Sequence, residues 1–526
     1  MSSTKLSHST DQRPELVFAL VGAAGTRLDD LEIRLKNELA TFGYKTVDIR
    51  LSKLLENFTG RTAQRGASEY DRIMHYQDMG DKFRRDFQRG DALALASIAE
   101  IRAERAKISG SPDDFAPAHA YILHQLKHPH EVDLLRKVYR SCFLLIAGHA
   151  PQDLRIKKLE EQMALKAGLP GKGTTFKSEA TKVILRDEKE DNDDYGQNVR
   201  DAFPKADFFS NLGIYSGEWA VGRFVNLIFG HPFCTPSPDE YAMYQACTVS
   251  LRSSDNNRQV GAVIVNLSRD EKERSKNTDI IANGMNEVPR RGGGFYWDQD
   301  TPDNRDQALL RSGEDRASEI KISALTELID KIIQKKWLQK GVAASVSRDL
   351  AGELLKDLKG TQFLNIGEFS RPVHAEMAAL IDAARRGVAV DGHSMYVTTF
   401  PCHNCVKHII AAGIRRVIYL EPYPKSRADY LYGEEINLQS VDGKDDGSGK
   451  VTFVSFTGIA PRKYQQLFSM SDRGSKSGNT IEKWEDQKAQ HLLSPLYVPK
   501  NASLLYLEAE RQALKSLTPD IYHIPK

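Results

Sequence analysis

The chain has few cysteines, no long apolar run and almost no net charge. Five cysteines in 526 residues cannot build a disulfide framework, so a reducing compartment, the cytoplasm, is expected. No apolar stretch approaches the ~18 residues of a membrane span, and mean hydropathy is -0.47, which argues against a transmembrane helix. The opening MSSTKLSHSTDQ lacks the apolar core of a secretory leader. Seventy-three Lys+Arg against 71 Asp+Glu leave +2, so no polybasic character argues for nucleic acid or a membrane as partner. What is present is an ordinary globular composition, 40% hydrophobic and 27% charged, with length enough for several domains.

Glu15–Gly22 (ELVFALVG) reads as a buried strand closed by glycine. It leads through a short turn into Leu28–Phe42, where Leu28, Leu31, Leu35 and Leu39 recur at helical spacing, and then to a strand at Tyr44–Ile49. Strand, glycine turn, helix and strand open an α/β unit with a parallel sheet. Ser141–Gly148 is a further buried strand. Strand and helix alternate again in the second half. Strands are expected at Gln259–Asn266, Ile280–Asn283, Ser394–Thr399 and Arg416–Leu420, with helices from His374 and from Cys402. A charged helical insertion is expected at about 298–366.

Two short segments carry the chemistry: His374-Ala375-Glu376 and Pro401-Cys402-His403-Asn404-Cys405. In a reducing compartment a C-x-x-C with a distant histidine points to metal or redox chemistry. One imidazole and two thiolates leave the fourth tetrahedral position of Zn²⁺ to water, the arrangement of a catalytic site. Cys402 and Cys405 are expected in the first turn of a helix, where free N–H groups and the dipole favour thiolate. Glu376, two residues from a ligand, is placed to move protons. His403 reads as a flanking residue, and Cys142 and Cys247 as small core residues.

H-x-E followed by P-C-x-x-C resembles the zinc nucleobase deaminases. From about Asp239 to Pro461 the chain resembles the cytidine/deoxycytidylate deaminase superfamily, with Arg258-Gln259-Val260-Gly261-Ala262 at its first central strand. Gly284-Met285-Asn286-Glu287-Val288-Pro289 resembles the family's G-Y-N-G-x-P segment, which implies that Asn286 binds the sugar hydroxyl; Met285 and Glu287 depart from the pattern. Arg258, Ala375, Arg371 and Lys425 join Asn286 as candidate substrate contacts. At full length, with Glu421-Pro422-Tyr423-Pro424-Lys425-Ser426 and Gly458-Ile459-Ala460-Pro461, the chain looks like the bacterial anti-phage dCTP/dCMP deaminases. That resemblance implies Zn²⁺ as cofactor, a deoxycytidine nucleotide as substrate, a homo-oligomer, and activity restrained until infection.

The implied fold is α/β: an N-terminal P-loop kinase-like parallel-sheet domain and a C-terminal three-layer α/β/α deaminase domain. The expected organisation is a tail at 1–13, a degenerate kinase-like regulatory domain at 14–215 and a linker at 216–236. The deaminase domain follows at 237–465, and an extension at 466–526. A phosphate loop needs G-x-x-x-x-G-K-[ST]. Here neither register works: counted from Gly22 the second glycine falls on Arg27, and counted from Gly25 the lysine position holds Thr26. A strand-to-helix turn still aims N–H groups at an anion. Gly22, Gly25, Thr26 and Arg27 are therefore candidates for a regulatory nucleotide, with RNA as the other ligand class. Two rival functions stay open: a polynucleotide deaminase, with Phe295, Tyr296 and Trp297 near Arg290 and Arg291, and a non-catalytic zinc scaffold.

Overall fold

The structure is a computed structural model. It describes residues 11–516 except 65, 172, 189, 191–192, 214–216, 257, 267–278, 312, 314, 336, 338–357, 359–368, 422–425, 439–446, 471–472, 474–475, 478–479, 482, 490–492 and 500–501. The chain divides into two compact units. One comprises Met1–Tyr244, Ile418–Pro424 and Gly433–Lys526; the other comprises Gln245–Val417 and Lys425–Tyr432. Among the described residues no helix is long and apolar enough to cross a membrane.

The first unit is built on β1 (Leu16–Val21), β2 (Lys45–Arg50), β3 (His119–Leu126), β4 (Phe143–His149) and β5 (Phe208–Asn211). Their order is β5-β4-β1-β3-β2, all parallel, with the short strand Gly458–Ile459 added antiparallel to β5. Every residue of β1 is buried, as a central strand covered on both faces requires. Helix α1 (Leu28–Thr41) turns Leu28, Leu31, Leu35 and Leu39 into the core, the stripe its spacing predicts. Helices α2 (Gln152–Lys166) and α3 (Lys177–Glu188) pack through Leu159, Met163, Val183 and Ile184.

The helix Ala502–Leu514 is anchored in this unit by a buried ionic knot. Arg105, fully buried, donates to Glu15 at 2.9 Å and to both oxygens of Glu510 at 2.7 and 2.8 Å, while Tyr506 and Tyr121 donate to Glu15 at 2.6 and 2.9 Å.

In the second unit β6 (Gly261–Asn266) pairs antiparallel with β7 (Asp279–Met285) and with β8 (Ser394–Thr399). Two glycines show how helices cover it. Gly284 of β7 lies so close to α5 (Ala375–Arg385) that a Cβ would stand 2.3 Å from the Ala379 nitrogen and 2.4 Å from the Ala375 oxygen. Gly261 is as close to α4 (Pro238–Ser250), its Cβ position 2.1 Å from the Ala246 oxygen. Ala262, not Gly261, is the cross-strand partner of Gly284, and successive residues of a strand face opposite sides. The two helices therefore cover opposite faces of these strands, an α/β/α layering. Within the expected insertion a helix runs over Arg316–Gln334; 338–357 and 359–366 lie outside the described residues.

Candidate metal centre and active site

Two helix starts build the site. His374 is the N-cap of α5, in extended backbone, so its ring stands at the first turn, where Glu376 also lies. Strand β8 runs through Phe400 and Pro401 to Cys402, the N-cap of α6 (His403–Ala411), and Cys405 sits one turn on. Cys402 thus caps the helix rather than lying within its first turn. Ser426 Oγ donates to the Pro401 carbonyl at 3.0 Å and steadies this entry.

The Nδ1 of His374 lies 3.3 Å from Cys402 Sγ and 3.4 Å from Cys405 Sγ, and the three ligand atoms fall within 4.8 Å of one another. Zn–S bonds of about 2.3 Å and a Zn–N bond of about 2.0 Å place nitrogen and sulfur roughly 3.5 Å apart in a tetrahedron. The three side chains therefore fit one zinc ion, and the soft thiolates with imidazole suit it chemically.

Among themselves these groups share protons unevenly. The Cys402 thiol is held down to about 4, first by the hydrogen bond from Cys405 and then by His374. His374 is raised to about 9 by its bond to Cys402, and Cys405 is pushed well above the usual thiol range by Cys402 and by burial. Glu376 is only 4% exposed; burial first, and the Cys402 charge second, raise its carboxyl to about 7. A buried carboxyl poised near neutrality is suited to take a proton and give it back.

The remaining sequence candidates fare differently. Ala375 is fully buried, packed under Gly284. Asn286 spends both ends of its amide on the loop before β6: Oδ1 accepts from the Val260 N–H at 2.7 Å, and Nδ2 donates to Asp255 at 3.0 Å and to the Arg258 carbonyl at 2.8 Å. Arg258 is exposed, and its backbone closes the same turn on Asp255. Arg371 pairs with Asp306 at 2.6 Å and donates to the Asn304 carbonyl at 2.9 Å, which ties it to the insertion. Lys425 lies outside the described residues.

The sequence reading missed Asp255 and named Glu287 only as a departure from the family segment. Asp255 holds Asn286 and adds to the field that raises His374, and Glu287, which replaces a family glycine, is buried and accepts from Ser254 N–H and hydroxyl at 2.9 and 2.7 Å. The polar run Ser253-Ser254-Asp255 just before the β6 strand was the available signal. Of the aromatics near Arg290, Trp297 is stacked by Arg252, 3.6 Å from its ring centre, and Arg290 pairs with Asp300 at 3.0 Å.

In the first unit, the Gly22–Arg27 turn is already engaged. Gly25 (φ +82°) sits against the backbone of Arg155, where a Cβ would be 2.5 Å from its oxygen, and a Cβ at Gly22 would be 2.8 Å from the Gly148 oxygen. Arg27 pairs with Asp30 at 2.5 Å on the surface, and Thr26 Oγ1 is buried without a partner among the described residues. A second group of acidic and imidazole ligands, Asp29, Glu32 and His124, is already bridged by Arg50, 2.7 Å from Asp29 and 3.2 Å from Glu32.

Residues 236–421 match the cytidine and deoxycytidylate deaminase zinc-binding region. The deoxycytidylate deaminase of Enterobacteria phage T4 is 44% identical over 76 residues, 14% of this chain and 39% of the phage protein. ComE operon protein 2 of Bacillus subtilis is 48% identical over 54 residues, 10% of this chain and 29% of its own. The chain thus spans well under half the length of these curated relatives. The solved apo dCMP deaminase of cyanophage S-TIM5 is 18% identical and covers 42% of this chain and 99% of its own, with a TM-score of 0.21. The matched range 236–421 includes His374, Glu376, Cys402 and Cys405.

Proposed function

We propose that the chain hydrolytically deaminates a free deoxycytidine nucleotide, dCMP or dCTP, to the matching deoxyuridine nucleotide. The observation that carries this reading is a buried carboxyl, Glu376, beside a three-ligand cluster that fits zinc. His374, Cys402 and Cys405 would hold the ion, which when bound supplies Lewis acidity and lowers the pKa of water toward neutrality. Glu376 takes one proton as water attacks C4 of cytosine and delivers it to N3, then takes the hydroxyl proton of the tetrahedral intermediate and delivers it to the departing amine as the C4 carbonyl forms. One water is consumed, ammonia leaves and uracil remains. A structural zinc scaffold has no use for such a carboxyl and normally closes the metal with a fourth side chain.

Asn286 serves this site by fixing the 255–260 loop, with Arg258 on the same turn. The resemblance to anti-phage deaminases, beyond the matched region, is the ground for three finer proposals: depletion of dCTP during infection, restraint by a kinase-like domain at 14–215, and assembly into a cytoplasmic homo-oligomer. The deciding experiment measures ammonia release from dC, dCMP, dCTP, CTP and single-stranded DNA, with and without a zinc chelator. Turnover of dCMP or dCTP that chelation abolishes is expected. Turnover confined to the oligonucleotide would overturn the substrate, and undiminished turnover in chelator would overturn the metal.

A further inference from the structure

We propose that the crevice at the carboxyl end of the first unit's parallel sheet is an oxyanion site of the phosphoryl class. Its resident anion is the Asp187 carboxylate, which keeps phosphoryl ligands out. In the order β5-β4-β1-β3-β2 the connection leaving β1 runs toward β2 and the one leaving the adjacent β3 runs the other way, toward β4; open parallel sheets take ligands outside the carboxyl ends of their strands at such a switch point. The Gly22–Arg27 turn follows β1 there, and Lys127 follows β3.

Both supply donors, and both donate to Asp187. The Ala24 N–H donates to Asp187 Oδ2 at 2.7 Å, and Lys127 Nζ lies 2.7 Å from Oδ1 and 2.9 Å from Oδ2. Gln77 Nε2 reaches the same carboxylate at 3.4 Å. A backbone N–H beyond a strand and a lysine ammonium are the donor types that hold phosphate oxygens. Asp187, at the end of α3, is 1% exposed, so this carboxylate has been carried inside to meet them.

Buried donors beside the Gly22–Arg27 turn remain unsatisfied as well. Arg155, 8% exposed and with its backbone pressed against Gly25, donates from Nε to the Ala150 carbonyl and from Nη2 to Glu188. Its Nη1 is buried with no partner among the described residues, as is the Thr26 hydroxyl. A carboxylate offers two oxygens and a phosphoryl group three, so the surplus matches the larger anion. The surplus and the enclosure together read as a phosphoryl site closed by an internal surrogate.

The test titrates the full chain with inorganic pyrophosphate in a calorimeter and compares wild type, Asp187→Ala, and Asp187→Ala combined with Lys127→Ala. Wild type is expected to give no binding heat, Asp187→Ala to bind, and the double variant to lose at least tenfold in affinity. ATP as second titrant distinguishes a nucleotide, which binds tighter than pyrophosphate, from a bare phosphoryl group, which binds equally; either supports the phosphoryl class. Wild type binding as tightly as Asp187→Ala would overturn the proposal, and so would a folded Asp187→Ala protein that stays silent. Should Asp187→Ala fail to fold, Asp187→Asn, of the same shape without the charge, is read in the same titration against the same two outcomes.

Discussion

Replacing Gly284 by alanine tests how the fold holds the site. The added methyl would lie 2.3 Å from the Ala379 nitrogen, 2.4 Å from the Ala375 oxygen and 2.7 Å from the Ala378 carbonyl carbon. All three are backbone atoms of α5, so no side chain can swing aside. Restoring contacts of about 3.5 Å requires the strand and helix to part by about 1 Å. His374 caps this helix and Glu376 is in its first turn, so both move with it, while Cys402 and Cys405 ride on α6 and stay. Overpacking of this kind costs about 1–3 kcal/mol, and a displacement of about 1 Å among reacting groups costs roughly 100-fold in rate. The assays are zinc content by elemental analysis, ammonia release from the preferred nucleotide, and thermal melting. The variant is expected to melt lower, hold less zinc and turn over roughly 100-fold more slowly. A folded Gly284→Ala protein with full zinc and full turnover would refute the idea that α5 is positioned by this close approach.

Other substitutions separate the roles of single groups. Glu376→Gln should keep its zinc, measured by elemental analysis, and lose about 100- to 10,000-fold in ammonia release. His374→Ala or Cys402→Ala should lose the metal itself, and the zinc content of the purified variant reads this directly. Arg105→Met leaves Glu15 buried without a counter-charge and Glu510 with Arg102 alone, at 3.3 Å, and should cost about 3–5 kcal/mol in denaturant unfolding followed by circular dichroism. Asn286→Ala strips three hydrogen bonds from the 255–260 loop and should raise KM more than it lowers kcat, the mark of a positioning residue.

Local pattern made much of this legible. The leucine spacing of α1 and the apolar β1 and β4 act through near neighbours, and the structure places them as their spacing implies; the HAE and PCHNC segments stand out in sequence by their residue types, and the fold brings His374 to 3.3 and 3.4 Å from Cys402 and Cys405. What stayed hidden depends on partners distant in sequence. Glu510 meets Arg105 across 405 positions, and nothing local to either marks the other. Arg371 reads as a free cation until Asp306, 65 residues away, is folded beside it. Asn286 shows the same limit more sharply: its motif names the residue, but only the folded loop shows that Val260, Asp255 and Arg258 take both ends of its amide. The Gly22–Arg27 turn looks open in sequence because Asp187, which accepts from Ala24, lies 163 residues on.

X-ray absorption at the zinc edge of the purified chain reads out whether a zinc ion is held by three side chains with its fourth position left to solvent. One zinc per chain with two sulfur neighbours at about 2.3 Å and two nitrogen or oxygen neighbours at about 2.0 Å is the predicted result, with the light-atom shell unchanged in Glu376→Gln. Three or four sulfur neighbours, or a chain that binds no zinc, would contradict it.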